Sequence, residues 1–125
     1  MGESGFDLMS WGDFERMEGS GGSTWMLARR SLGVSSFGMN MVEIAPGGQI
    51  PEHDETERDQ EEVFVVWEGD ATAVIDGADH PAPRGSFVRL DPDTRRTIRN
   101  DGASPVRILA VSAPRSSGYE DMGWG

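Results

Sequence analysis

The sequence predicts an all-β fold. Its apolar segments are short, and glycine and proline separate them at close intervals, as between the strands of a sandwich or barrel. The 125 residues include 17 glycines and 7 prolines. Beyond residue 30, no segment has the apolar period of an amphipathic helix. We therefore expect one compact domain with a single core.

The expected strands follow in order along the chain. The first, SFGMNMVEIAPGG, sets Asn40, Val42 and Ile44 on one face and two methionines on the other. EEVFVVWEG and ATAVIDG are predicted to form the next two strands, with a tight hairpin turn at Asp76 and Gly77. Three further strands are predicted in GSFVRLDP, RRTIRN and PVRILAVSAP.

The first thirty residues are less regular than the rest. FDLMSWGDFERMEG fits either a short amphipathic turn of helix or an irregular arm laid across the barrel. The Gly/Ser stretch EGSGGS, residues 18–23, is predicted to be a loop between this arm and the first barrel strand.

Composition excludes several classes of function. The formal net charge of −11 disfavours nucleic acid and anionic membranes as partners. The chain has no cysteine and no lysine, which excludes thiol nucleophiles, thiolate zinc sites and Schiff-base catalysis. No apolar run approaches the length needed to cross a bilayer, and no signal peptide is recognisable, so we expect a cytoplasmic protein.

Two stretches carry a recognisable spacing. In PGGQIPEHDETERDQEEVFVVWEG, five residues separate Gly47 from His53 and six separate Glu62 from Gly69. The second stretch, GSFVRLDPDTRRTIRN, runs from a glycine to Asn100. Over roughly residues 32–115 the chain resembles the cupin family of small bacterial β-barrels. The resemblance implies a single double-stranded β-helix, or jelly-roll, with an arm and first strands over 1–31, a barrel core over 32–115, a tail over 116–125, and a homodimer.

The resemblance also implies where a metal would bind. Family members that hold an ion use two histidines and a glutamate from the first motif and a third histidine from the second. In this chain His53 and Glu62 stand on ligand positions, whereas Glu55 or Glu57 takes the second histidine position and Arg96 the third. A protonated guanidinium has no lone pair to offer a metal.

The replacement at position 96 favours a site without metal. His53, Glu55 and Glu62 still form a set that Mn, Fe, Zn or Ni tolerates. A permanent positive charge a few ångströms away repels a dication, however, and Arg96 can satisfy the carboxylates instead. Residues 52–62 carry seven acids and residues 84–107 carry six arginines, which are expected to meet across the barrel mouth.

Two classes of function follow. In the first, the protein is an acid–base isomerase, epimerase or cyclase that acts on a small polar or anionic metabolite without a metal; a variant is a metal-dependent oxygenase or lyase. In the second, it is a non-catalytic module that binds or senses a small ligand. The predicted catalytic residues are His53, Glu62 and Arg96, and the predicted substrate-binding residues are Asn40, Glu55, Gln60 and Phe64. An apolar outer surface containing Met39, Met41 and Trp67 is expected to be covered by a second subunit.

Overall fold

The computed structural model describes residues 5–125 and contains, within that range, nine strands and one short α-helix. The strands are β1 (Arg16–Glu18), β2 (Ser23–Met26), β3 (Gly38–Ile44), β4 (Gln60–Glu68), β5 (Ala71–Ile75), β6 (Ala78–Ala82), β7 (Phe87–Leu90), β8 (Arg96–Arg99) and β9 (Val106–Pro114). The helix α1 spans Ala28–Leu32, and 3-10 turns span Trp11–Asp13 and Thr56–Arg58. Over these residues, no helix is long and apolar enough to cross a membrane.

The strands form two antiparallel sheets. The larger sheet has the order β1-β2-β3-β9-β4-β7, and the smaller has the order β6-β5-β8. The pairs β3–β9 and β4–β9 have the longest registers, with Asn40 opposite Ala110 and Ala110 opposite Phe64. The predicted all-β jelly-roll fold is confirmed.

The core lies between the two sheets because each long strand alternates its faces. Along β4, residues at every second position from Glu62 to Val66 are buried, while Val63 and Val65 lie on the opposite, outer face. The buried apolar residues of the larger sheet are Met26, Val42, Ile44, Phe64, Val66, Leu90, Val106, Ile108 and Ala110, and those contributed by the smaller sheet are Ala71, Ala73, Ala82 and Ile98.

Two turns depend on left-handed backbone. Asp76 and Gly77 both have positive φ, 49° and 80°, as the predicted β5–β6 hairpin requires. Gly69, which ends the first motif, has φ of 83°, and a Cβ there would lie 2.8 Å from the carbonyl oxygen of Pro105. Glycine therefore lets β4 turn closely over the start of β9.

The six predicted strands are present, and the structure adds elements that the pattern did not predict. The Gly/Ser stretch lies inside a hairpin, since β1 precedes it and β2 follows it. Strand β6 contains Pro81, which is tolerated because β6 is an edge strand, and the exposed His80 lies in this strand rather than in a loop. The arm packs its Trp11 edge-on against Trp67, with ring centroids 5.9 Å apart.

Candidate functional site

A backbone bridge places the two motifs side by side. The amide of His53 donates to the carbonyl of Arg96 at 3.0 Å, and the amide of Arg96 donates back at 2.9 Å. These two residues are therefore a hydrogen-bonded antiparallel pair, although His53 lies outside the long strands. The bridge sets the side chain of His53 beside that of Glu62 on β4.

The residues between Glu55 and Glu62 form a compact loop. The 3-10 turn Thr56–Arg58 ends at Asp59, whose φ is 51°, and the amide of Gln60 donates to the carbonyl of Glu55 at 3.2 Å. Closure of this loop brings Glu55 and Glu62 together despite the long gap between them. Glu57 is exposed on the turn, so the structure places Glu55 rather than Glu57 beside His53.

The imidazole of His53 is held at both nitrogens. Nδ1 lies 2.8 Å from the carbonyl oxygen of Pro51, and Nε2 lies 3.2 Å from Oε2 of Glu55 and 3.9 Å from Oε1 of Glu62. A carbonyl oxygen can only accept, so Nδ1 carries a proton and Nε2 is the nitrogen that gains or loses one. About a third of the side chain is exposed, enough for a bound molecule to contact it.

Arg96 is fully buried and bonds directly to Glu62. Its Nη2 and Nε donate to Oε1 of Glu62 at 3.1 and 3.3 Å, while Nη1 donates to the carbonyls of Thr94 at 2.6 Å and Asp91 at 3.4 Å. All three guanidinium nitrogens are therefore satisfied by the protein itself. Several ion pairs join the acidic residues 52–62 to the arginines of residues 84–107. The Glu62–Arg96 pair is buried, whereas Glu52–Arg95 and Glu61–Arg89 are more exposed.

The position of Glu62 gives it an unusual proton affinity. Burial raises the pKa of this carboxyl above its ordinary value of 4.5, and the nearby charge of Arg96 opposes the shift without reversing it. The neighbouring carboxylate of Glu55 adds to the rise in pKa. Glu62 thus holds its proton to a higher pH than an exposed glutamate does.

These groups open into a cavity of about 470 Å³ at one end of the larger sheet. Of the predicted site residues, His53, Glu62, Asn40, Glu55, Gln60 and Phe64 all line it. Arg96 does not; it lies behind Glu62 and reaches the cavity only through that carboxylate. The other lining residues are Trp25, Arg29, Ser35, Ser36, Phe37, Gly38, Met39, Arg58, Ala110, Ser112 and Pro114.

Several lining residues were not predicted from the sequence. Trp25 and Arg29 come from β2 and α1, in the segment whose structure the pattern left open, and nothing in their local sequence marks them. Arg58 did have a signal, because it is the one cation in the acidic stretch 52–62. Met39 was assigned to the outer face together with Met41, yet it contributes to the cavity wall near the start of β3.

The donor set fits a divalent ion in part. One ligand atom from each of His53, Glu55 and Glu62 lies within 4.8 Å of the others. Donors about 2.1 Å from an ion are about 3 to 3.5 Å apart, so small movements would bring these three around one. The fourth position, where a histidine would complete the set, is held by the guanidinium of Arg96 instead. The residues can supply three ligands and no more from this group.

The fold and the site define a single-domain jelly-roll barrel with a polar cavity at one end. The family model described as the cupin domain matches residues 40–112. The chain belongs to the cupin family, and the predicted membership is confirmed. No curated protein matches the sequence.

Solved structures share this fold. A sugar phosphate isomerase of the cupin superfamily from Silicibacter pomeroyi superposes with a TM-score of 0.76 at 24% identity, covering 86% of this chain and 75% of that one. A cupin protein from Bacteroides fragilis gives 0.75 at 21%, covering 97% and 95%. A predicted oxalate decarboxylase from Thermotoga maritima gives 0.72 at 18%, covering 86% and 99%. At these identities the likeness establishes the fold alone.

Proposed function

We propose that this protein is a metal-independent acid–base enzyme of the isomerase, epimerase or cyclase type, acting on a small polar or anionic metabolite in the cavity. The observation that carries the proposal is the buried ion pair of Arg96 with Glu62. It gives Glu62 a counter-charge without a metal, and it leaves both Glu62 and His53 facing the cavity. The Silicibacter pomeroyi protein is likewise named an isomerase.

The ion pair disfavours a metal on electrostatic grounds. A dication bound at Oε1 of Glu62 would lie close to a guanidinium that bonds to the same atom. In a buried site of low dielectric, this repulsion opposes much of the binding energy of three ligands. Arg96 is held in place, because its Nη1 also donates hydrogen bonds to two backbone carbonyls.

His53 and Glu62 have complementary environments for proton transfer. His53 is partly exposed and keeps Nε2 available, with Glu55 beside it to stabilise the protonated ring. Glu62 is buried and has a raised pKa, which makes it a better proton donor and acceptor for an acid–base reaction than an exposed glutamate. One group can remove a proton from a carbon or hydroxyl while the other returns one. Arg96 acts through Glu62 as a positioning residue, and Asn40 and Gln60 provide hydrogen bonds that orient the metabolite.

The three-donor group supports a second candidate, a metal-dependent oxygenase or lyase. His53, Glu55 and Glu62 would hold the ion. A bound divalent ion would supply Lewis-acid or redox chemistry at the cavity wall. In that case Nε2 of His53 would serve as a ligand and could no longer act as a base, so the two candidates assign different roles to the same nitrogen.

Proton exchange with solvent tests the proposal. The protein is incubated in D₂O with a set of small hydroxy-carbonyl compounds, phosphorylated sugars included, and deuterium at carbon is followed by NMR. We expect exchange with at least one compound, and a loss of about a hundredfold or more in His53→Ala and Glu62→Gln, as for removal of a general acid or base. Exchange with none of the compounds, or at an undiminished rate in both variants, would contradict the proposal.

A further inference from the structure

Two arginines at the cavity stand apart from the others in the chain. Seven of the eleven arginines, Arg30, Arg89, Arg95, Arg96, Arg99, Arg107 and Arg115, make ion pairs with carboxylates. In the described part of the chain the other four, Arg16, Arg29, Arg58 and Arg84, make none, and of these Arg29 and Arg58 line the cavity. The contact that Arg29 makes is a single hydrogen bond from Nη1 to the carbonyl of Val34 at 3.1 Å.

The acidic loop, residues 52–62, places most of its carboxylates away from the cavity. Five of its acids, Glu52, Asp54, Glu57, Asp59 and Glu61, are absent from the cavity wall, whereas Arg58 is present there. Most of these acids have other partners: Glu52 pairs with Arg95, Glu61 with Arg89, and Asp59 with Arg115 at 2.6 Å. The loop therefore presents Arg58 to the cavity beside Glu55 and Glu62, and its other five acids lie away from the cavity wall.

The cavity carries no excess of negative charge, although the molecule as a whole is acidic. Its charged groups are Arg29 and Arg58 at the wall, Arg96 behind it, and the carboxylates of Glu55 and Glu62. With His53 neutral the arginines outnumber the carboxylates by one, although the whole chain carries a formal charge of −11. An exposed arginine without a carboxylate partner is free to bind an anion, because its guanidinium can donate two parallel hydrogen bonds to carboxylate or phosphate oxygens.

We propose that Arg29 and Arg58 form an anion-binding subsite, and that the substrate is a small metabolite whose carboxylate or phosphate group they hold while its reacting carbon faces His53 and Glu62. This inference rests on the proposed function and adds the substrate class. The two arginines come from different elements, α1 and the 3-10 turn at Thr56–Arg58, so an anion bound by both would link the N-terminal segment to the first motif.

Anion titration tests the subsite without knowledge of the full substrate. Inorganic phosphate and acetate are titrated separately into the full chain by calorimetry, with ionic strength held constant with sodium chloride so that screening does not change. We expect at least one anion to bind. Arg29→Gln and Arg58→Gln should each weaken binding about tenfold or more, the usual cost of a lost hydrogen bond to a charged group.

Matched variants separate the subsite from general charge. Arg84→Gln removes an exposed arginine that has no ion pair among residues 5–125 and does not line the cavity, so the affinity of this variant should equal that of the unaltered protein. Binding of phosphate alone would identify a phosphorylated substrate, and binding of acetate would identify a carboxylate. The inference is overturned if neither anion binds, or if Arg29→Gln and Arg58→Gln bind as well as Arg84→Gln.

One further variant keeps the two proposals distinguishable. His53→Ala should abolish proton exchange yet still bind the anion, since the arginines are unchanged. If His53→Ala still binds the anion and still exchanges protons, the acid–base function is contradicted and the anion-binding subsite is not. If the arginine variants lose anion binding, the subsite is supported. If His53→Ala has no effect on exchange in the same experiments, the catalytic assignment is wrong.

Discussion

Arg96 determines the character of the site at the scale of single residues. It occupies the position at which metal-binding relatives have a histidine, and it is fully buried with hydrogen bonds from all three nitrogens. Glu62 keeps its place on the cavity wall and gains a cation as its partner. The pair therefore preserves the outline of a metal site while supplying different chemistry.

Removing the cation should leave Glu62 buried and unpaired. We expect Arg96→Met to lower the free energy of unfolding by about 3 to 5 kcal/mol at neutral pH. The pKa of Glu62 in the folded state lies above its ordinary value of 4.5, so the folded protein loses stability as the pH rises from 4.5 through that raised pKa. The substitution raises the pKa further and so increases this loss. The loss relative to the unaltered protein should therefore shrink as the pH falls towards 4.5.

Denaturant unfolding of both proteins at pH 5 and pH 8 measures this difference. Arg84→Met serves as the control, because that side chain is exposed and has no ion pair in the described residues. An equal loss of unfolding free energy at pH 5 and pH 8 would mean that the ionisation of Glu62 does not cause the destabilisation.

Restoring a histidine at position 96 should restore metal binding. Arg96→His would remove the opposing charge and add a fourth donor beside His53, Glu55 and Glu62. We expect this variant to bind Zn²⁺, Mn²⁺ or Ni²⁺ at least a hundredfold more tightly than the unaltered protein, measured by calorimetry. Equal affinity in the two proteins would show that the arginine does not prevent binding.

At the scale of elements, the two glycines of the first motif differ in how closely other atoms pack around them. Gly47 and Gly69 both have positive φ, but only Gly69 lies against another strand, where a Cβ would meet the Pro105 carbonyl at 2.8 Å. Between them, the six residues from Thr56 to Glu61 form a compact loop around a 3-10 turn. The spacing of the motif can therefore change in the loop without moving Glu62.

The two glycines provide a matched pair of substitutions. Gly47→Ala should cost about 1 to 2 kcal/mol, the penalty for left-handed backbone, because no atom lies within 4 Å of the new Cβ. Gly69→Ala carries the same penalty and a backbone clash, so we expect a larger loss. Thermal unfolding of the two variants measures the difference. Equal losses would contradict the close packing of Gly69 on the start of β9.

Sequence reasoning identified the elements that bury a regular apolar face. Strands β3, β4, β5, β7, β8 and β9 alternate or are rich in Val, Ile and Leu, so their periodicity is visible. Strand β1 is fully exposed, and β6 is exposed except at Ala82, so neither leaves an apolar pattern. Their positions depend on pairing with β2 and β5, which is tertiary information.

The same limit applies to the site. The motif spacing identified His53, Glu62 and Arg96 because the first two stand at fixed intervals from glycines and the third precedes Asn100. It could not show that Arg96 lies behind Glu62 rather than in the cavity, since that depends on how a long side chain is buried. Arg29 reaches the cavity by way of the β1–β2 hairpin and α1, which spacing does not describe.

At the scale of the whole molecule, the outer face of the larger sheet carries one apolar row beside charged residues that form ion pairs. The register aligns Met41, Leu109, Val65 and Phe87 in one row across four strands, and Phe87 is 74% exposed. The chain's own arm covers part of this face, where Trp11 packs on the partly buried Trp67. The rest of the row is suited to contact with another apolar surface.

The homodimer therefore remains a prediction that this face can test. We expect the protein to be dimeric by light scattering and Phe87→Glu to be monomeric, because the substitution would bury a charge at the interface. Leu8→Glu, on the arm and 87% exposed, is the control and should leave the mass unchanged. A monomeric unaltered protein, or a dimeric Phe87→Glu, would contradict the predicted interface.

The metal content of the active protein tests most directly whether an arginine has replaced the metal. Protein purified without chelator is analysed for transition metals, and its proton-exchange activity is measured before and after dialysis against a strong chelator. We predict far less than one ion per chain and unchanged activity, with Glu62 still paired to Arg96. One ion per chain, lost together with activity on chelation and absent from His53→Ala, would contradict the metal-independent mechanism.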